Sequence, residues 1–304
     1  MTSQISDRPT PNKNTLFRPN LSNRYNLDRV FAIATWAAVA LAVAVLAILI
    51  LDILVQGLPQ LSGDFLNSFP SRKPEQAGIK AALAGTIWVM VLVAVTAFPL
   101  GVGAGIFLEE FAEDNWLTKI IEININNLAG VPSIIYGLLG LTVFVRILEP
   151  ITGGRSVLSG SLTLALLILP IIIVSTREAL RAVPDSLRLA GLALGATKWQ
   201  VIWEQILPIA LPGILTGTIL ALSRAIGETA PLIVVGAVTF IRSVPTGLQS
   251  SFTVMPIQIF NWIGRPQVEF HHIAATGIIV LMTVLLIMNA SAIFLRNKFQ
   301  NKDV

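Results

Sequence analysis

Apolar residues gather along this chain in blocks, not at the spacing of a half-buried helix or strand. Six blocks stand out, at about 30–51, 79–107, 126–145, 157–174, 212–238 and 273–294. Each is long enough, at a rise of 1.5 Å per residue, to approach or exceed the roughly 30 Å of a bilayer's hydrocarbon core. The pattern predicts an all-α integral membrane protein with six spans. The first block reaches about 33 Å as a helix, longer than a signal-peptide core. Asp52 and Gln56-Gly57-Leu58-Pro59 follow it, with no small-residue cleavage pattern, so it reads as a retained span. Pro132 and Pro170 fall inside the third and fourth blocks, where neighbouring helices can satisfy the freed backbone groups.

The polar stretches between blocks set the organisation. Residues 1–29 are rich in Pro, Asn and Ser and carry five arginines and lysines; they read as a disordered tail. Residues 30–296 form one membrane domain without an internal repeat, and 297–304 a short second tail. The 239–272 loop, with Trp262 and several prolines, reads as a partly helical cap on the outer face. Six spans put both termini on one side. That side carries thirteen Lys and Arg residues against seven on the other. The excess predicts cytoplasmic termini.

Composition narrows the class. The chain has 304 residues, 54% hydrophobic and 12% charged. Soluble domains carry about 25% charged residues, so an ordinary cytosolic enzyme is excluded. The net charge is only +4, and no basic stripe with interleaved aromatics argues for nucleic acid. There is no cysteine, so disulfides, thiol catalysis and cysteine-held metals are absent.

The most informative stretch is 175–231, a polar hairpin running straight into a span that carries charge. Residues 178–193 read as helix, broken at Pro184 and recapped by Asp185, with Leu187, Ala190 and Leu194 on one face and Arg188 on another. Gly195 supplies a turn, Thr197 an N-cap, and Trp199 and Trp203 are neighbours four apart. Pro208 reads as the stop. Within the fifth block, Gly213, Gly217, Ala221, Arg224, Glu228 and Pro231 recur at helical steps and share one face. A charge at bilayer depth costs about 2.5–3.5 kcal/mol on insertion scales, so it marks a pathway or a buried partner. Arg224 offers a rigid fork of donors for a tetrahedral oxyanion. Glu228 beside it can accept a proton-bearing oxygen, separating phosphate from sulfate. A structural pair holding two helices together is the other reading, and both stay open.

Other signals are weaker. Arg177 and Glu178, at the inner end of the fourth span, read as an exit guard or an interfacial anchor. Gly101, Gly103 and Gly105 read as close helix packing and not as a nucleotide loop. His271 and His272 read as loop residues. Asn126, Asn127, Ser133 and Tyr136 either line a polar path or make ordinary interhelical hydrogen bonds.

The hairpin resembles the coupling loop of importer-type ABC permeases, written Glu-Ala-Ala, three residues, Gly, nine residues, Ile, one residue, Leu-Pro. Gly195, Leu207 and Pro208 fall in register, with Ala196 a coupling residue after the Gly; Leu189, Ala190 and Gly191 occupy the Glu-Ala-Ala positions, and Gln205 stands for the Ile. Three further stretches, 127–137 (NLAGVPSIIYG), 225–232 (AIGETAPL) and 261–267 (NWIGRPQ), resemble the PstA family of permeases of bacterial phosphate ABC importers. The resemblance implies a MetI-like fold in the bacterial inner membrane and a non-catalytic subunit importing inorganic phosphate. It implies a PstC-like second permease, a PstB-like ATPase dimer and a PstS-like external phosphate-binding protein as partners, with lipid around them. It also implies a substrate path through Arg224, Glu228, Thr229 and Arg177. The chain has no Gly-x4-Gly-Lys-Ser/Thr loop, so ATP and Mg belong to the partner ATPase and no cofactor or metal is expected here. A permease for sulfate or molybdate, an ion-coupled secondary carrier, and a sensory membrane protein remain as alternatives.

Overall fold

The computed structural model describes residues 21–237 and 240–300, and no strand occurs among them. Contacts divide the chain into two units, residues 1–52 and 53–304. In the first, the described residues lie in α1 (Leu21–Gly57), whose apolar side chains are exposed, as suits a helix surrounded by lipid. The helix begins nine residues before the apolar block because no Pro or Gly interrupts 21–56. Residues 21–29 are therefore helical, contrary to the expected tail; 1–20 lie outside the described residues.

The second unit is a helical bundle built around α5 (Val157–Arg181). Ser156 caps its start by accepting from Ser159 N–H, and most of its length is buried. Against it lies α2 (Lys80–Ile106), where Gly101 and Gly105 permit the approach. A Cβ at either would sit 2.6–2.7 Å from Ile172 or Thr176. Val89, Val93, Leu164, Ile168, Ile172 and Ala221 fill the core between these helices. The expected close packing at this glycine run thus holds at Gly101 and Gly105, while Gly103 faces open space.

Two of the expected spans are broken. The third consists of α3 (Trp116–Leu128) and α4 (Ser133–Gly140), the latter continued by a π-helical turn at Leu141–Ile147, with a 105° bend between the halves. Pro132 lies at the break and not inside a helix, because its ring disfavours the helical conformation at Val131. The Leu128 carbonyl at the break accepts from the Val131 N–H at 3.1 Å and from the Tyr136 hydroxyl at 2.8 Å, which ties α4 back to the end of α3. The fifth span ends at Gly227: α8 (Leu207–Gly227) stops, Glu228 is extended, and α9 (Ala230–Val235) resumes. A continuous helix would drive the Pro231 ring into the Gly227 carbonyl.

Between α5 and α8 the chain forms α6 (Asp185–Ala193) and α7 (Lys198–Val201). Pro208 does not stop the helix, as the sequence suggested. A π-helical turn at Ile202–Ile206 precedes it, and Leu207 N–H reaches back to the Ile202 carbonyl. This wider turn absorbs the donor that Pro208 lacks, so 198–227 is helical throughout. The 239–272 stretch is partly helical, as expected, and part of it packs into the core. There α10 (Met255–Ile263) buries Trp262 completely, 5.9 Å from the Phe65 ring. His271 and His272 lie inside α11 (Val268–Gln300), not in a loop; no Pro or Gly follows Gly277, so helix persists to Gln300 within the expected tail. Residues 301–304 lie outside the described residues. Five helices have the length and apolarity of membrane spans among the described residues, six with the bent pair.

Candidate translocation and coupling site

The hairpin is a capped tip on a long helix. Pro184 precedes α6 and serves as its N-cap residue, with Asp185 in the first turn, so the expected cap at Asp185 shifts by one position. Gly195 has φ +82°, the left-handed conformation that lets the chain reverse without a Cβ penalty. Ala196 N–H then closes the turn onto the Gly191 carbonyl at 3.2 Å. Thr197 and Gln200 form a reciprocal capping box that starts α7. Gly191 packs on Val201, where a Cβ would lie 2.6 Å from a valine methyl. Leu189, Ala190, Leu192 and Leu194 stay exposed at the tip, while Leu207 and Pro208 are half-buried at its base. Trp199 and Trp203 stack at 5.7 Å, as their spacing predicts, with Phe111 6.1 Å from Trp199. An exposed apolar tip on a capped hairpin suits burial in a groove of another protein.

Its inner side is held by charge. Another π-helical turn, Phe107–Phe111, ends the second span and carries Glu109 and Glu110. Arg188 Nη2 donates to Glu110 Oε1 at 2.7 Å and to the Leu180 carbonyl at 2.9 Å. Its Nη1 donates to the Val183 carbonyl at 2.8 Å and to Asp185 at 3.1 Å. The hydrogen bond to Glu110 raises the Arg188 pKa above its already high ordinary value, against the opposing pull of burial. Glu109 accepts from Arg177 Nε at 3.1 Å and from Arg181 Nε at 2.8 Å. Arg177, buried, also donates to Glu122 on α3. The sequence reading missed this network, although the acidic run from Glu109 to Glu122 and the arginines at 177, 181 and 188 were its signal.

At the other end of the long helix, Arg224 occupies the last turn of α8, where its charge complements the helix dipole. Its Nε lies 3.4 Å from Glu228 Oε1. The arginine side chain is 47% exposed and the carboxylate 17%. Thr229 is half-buried in the break, its hydroxyl 3.4 Å from the Gly227 carbonyl. Leu207 and Arg224 are separated by about 25 Å of helix. Arg177 sits near the hairpin end, so the fold does not bring it to the Arg224–Glu228–Thr229 group. Of the third-span polar residues, Tyr136 is spent on the Leu128 carbonyl. No cluster of three metal-ligating residues occurs among the described residues.

Residues 97–300 match the family described as binding-protein-dependent transport system inner membrane component. The probable ABC transporter permease YqgI of Bacillus subtilis is 32% identical over 84% of this chain and 86% of its own. The phosphate transport system permease PstA of Yersinia pestis is 34% identical over 77% and 78%. In structure, the inward-facing MetNI methionine ABC transporter covers 73% of this chain and 94% of its own, with TM-score 0.56 and 20% identity, a likeness of fold alone. With the capped hairpin at one end of the bundle and the charged helix break at the other, this multi-pass chain belongs to the inner-membrane permease components of binding-protein-dependent transport systems.

Proposed function

We propose that the chain is the permease subunit of an ATP-driven importer of inorganic phosphate in a bacterial inner membrane. One observation carries the reading. A single helical run, 198–227, has the capped hairpin at its start and Arg224 in its last turn, beside Glu228. Force applied to the tip reaches the anion-suited pair through one continuous helical run.

In this reading the chain pairs with a PstC-like permease, and the half-exposed Arg224 faces the path between them. A PstB-like ATPase dimer, which holds ATP and Mg, receives Leu189, Leu192 and Leu194. A PstS-like external protein delivers phosphate on the opposite side, and both termini are cytoplasmic. The chain itself makes and breaks no covalent bond. Phosphate keeps a proton at neutral pH, so one oxyanion face suits the guanidinium and the hydroxyl suits the Glu228 carboxylate. The likeness to the PstA permease of Yersinia pestis supports phosphate over other oxyanions.

The test is uptake of radiolabelled phosphate into proteoliposomes holding the full complex, with excess sulfate or molybdate as competitor. Phosphate entry that requires ATP and the binding protein, and resists both competitors, is expected. Entry driven by an ion gradient without the ATPase overturns the reading. Preferential entry of sulfate or molybdate overturns the substrate.

A further inference from the structure

The hairpin has two arms, and only the outgoing one leads to Arg224. The incoming arm ends on Arg188, whose guanidinium spends its donors on Glu110, Asp185 and the carbonyls of Leu180 and Val183. Glu110 is buried at the end of the second span. Its neighbour Glu109 joins Arg177 and Arg181 of α5, and Arg177 continues to Glu122 on α3. Consecutive residues on an ordinary helix point about 100° apart. Glu109 and Glu110, adjacent in the turn at Phe107–Phe111, accordingly serve two different helices, α5 and α6. A buried ion pair that recruits this many hydrogen bonds adds little net stability over apolar packing, so holding a geometry is the role that accounts for it.

From α3 the chain crosses the break into α4, whose Gly137 packs on Pro231, where a Cβ would lie 2.7 Å from the proline Cα. Pro231 is in α9, just past Glu228. The helix break that holds the Arg224 pair is thus touched from the third span as well as from α8.

We infer that Arg188–Glu110 is a positioning pair for coupling: it binds the incoming arm to the second span, and through Glu109, Arg177 and Glu122 to the third. The hairpin, the end of α2 and α3 then move as one body, and the break is driven from both sides. Arg177 belongs to this relay and not to the substrate path. The inference rests on the importer reading above.

The test measures phosphate moved per ATP hydrolysed by the full complex in proteoliposomes. Glu110→Gln is expected to lower that ratio by at least about fivefold, the lower end of site-to-site coupling. Glu113→Gln, an exposed neighbour, is expected to keep it. A ratio for Glu110→Gln within twofold of wild type overturns the inference. A second measurement does not depend on that variant assembling. The chain has no cysteine, so a pair introduced at Ala112 and Lys198, both lining the cavity of about 530 Å³ between hairpin and π turn and neither placed in the ATPase contact, can be bridged by a short bis-maleimide. Retained coupled uptake after bridging supports one rigid body, and blocked uptake overturns it. A wild-type complex that moves no phosphate with ATP removes the importer reading itself.

Discussion

Arg224 and Glu228 meet across a helix end, not along a helix. The guanidinium Nε lies 3.4 Å from the carboxylate, and the backbone between them has already turned extended at Glu228. The break leaves the pair less constrained than an i,i+4 pair inside a helix. With Arg224 47% exposed, the contact contributes little to stability, of order 0–1 kcal/mol. In the importer reading proposed above, its use is to meet the anion. Arg224→Gln is expected to abolish phosphate uptake while the complex still assembles and hydrolyses ATP. Arg224→Lys, which keeps charge but loses the planar fork, is expected to retain only weak uptake. Loss of assembly in Arg224→Gln, seen by co-purification of the partners, would favour a structural pair.

The start of α7 depends on a short reciprocal network. Thr197 Oγ1 accepts from Gln200 N–H at 3.3 Å, and Gln200 Oε1 accepts from Thr197 N–H at 2.9 Å. Thr197→Ala removes half of it and is expected to cost about 1 kcal/mol locally. Hydrogen exchange over 196–201 is expected to speed up roughly fivefold, with exchange in α5 unchanged. An unchanged rate would show that the hairpin is held without its cap.

A polar seam joins α8 to α11. Ser223 Oγ and Asn289 Oδ1 lie 2.6 Å apart, and Ser223 also donates to the Ile219 carbonyl at 2.7 Å. Because the serine keeps a local acceptor, Asn289→Ala leaves no orphaned donor. Interhelical hydrogen bonds in membranes average about 0.6 kcal/mol. A loss of no more than about 1 kcal/mol is expected in a detergent unfolding titration of the purified chain. A loss several times larger would mean that the seam, and not the small residues, sets this helix contact.

The spans and the hairpin were legible because both are written in local pattern. Blocks of apolar residues, Gly195 before Thr197, and tryptophans four apart each act within a few residues. Where sequence reading placed single continuous spans, a proline was the decisive residue. Pro132 and Pro231 break helices that apolarity alone would continue, whereas Pro208 fails to break one because the turn before it widens. The members of the charged network were visible in the sequence, but which of them pair was not, for a different reason. Glu110 and Arg188 are 78 positions apart and lie on different elements, so no local pattern announces their pairing. The pairing of Arg177 was hidden for the same reason: its partners, Glu109 and Glu122, belong to other helices.

Two glycines in this region resist substitution through different physics, and the contrast can be measured. Gly195 has φ +82° and nothing within 4 Å of an added Cβ. Gly195→Ala therefore meets only the left-handed backbone penalty, about 1–2 kcal/mol, confined to the hairpin. The bundle is expected to keep its midpoint of thermal unfolding within a few degrees, while coupled uptake falls as the tip loses its turn. Gly217 is an ordinary helical residue whose added Cβ would overlap the Ser175 side chain on α5. Gly217→Val must push α8 off α5 and is expected to cost about 1–3 kcal/mol or more of bundle stability. Ser175→Ala leaves a methyl near the overlap and is expected to relieve Gly217→Ala only in part. If Gly195→Ala destabilised the whole bundle, or Gly217→Val left it untouched, the hairpin would not be the separable tip on a packed helix that these contacts describe.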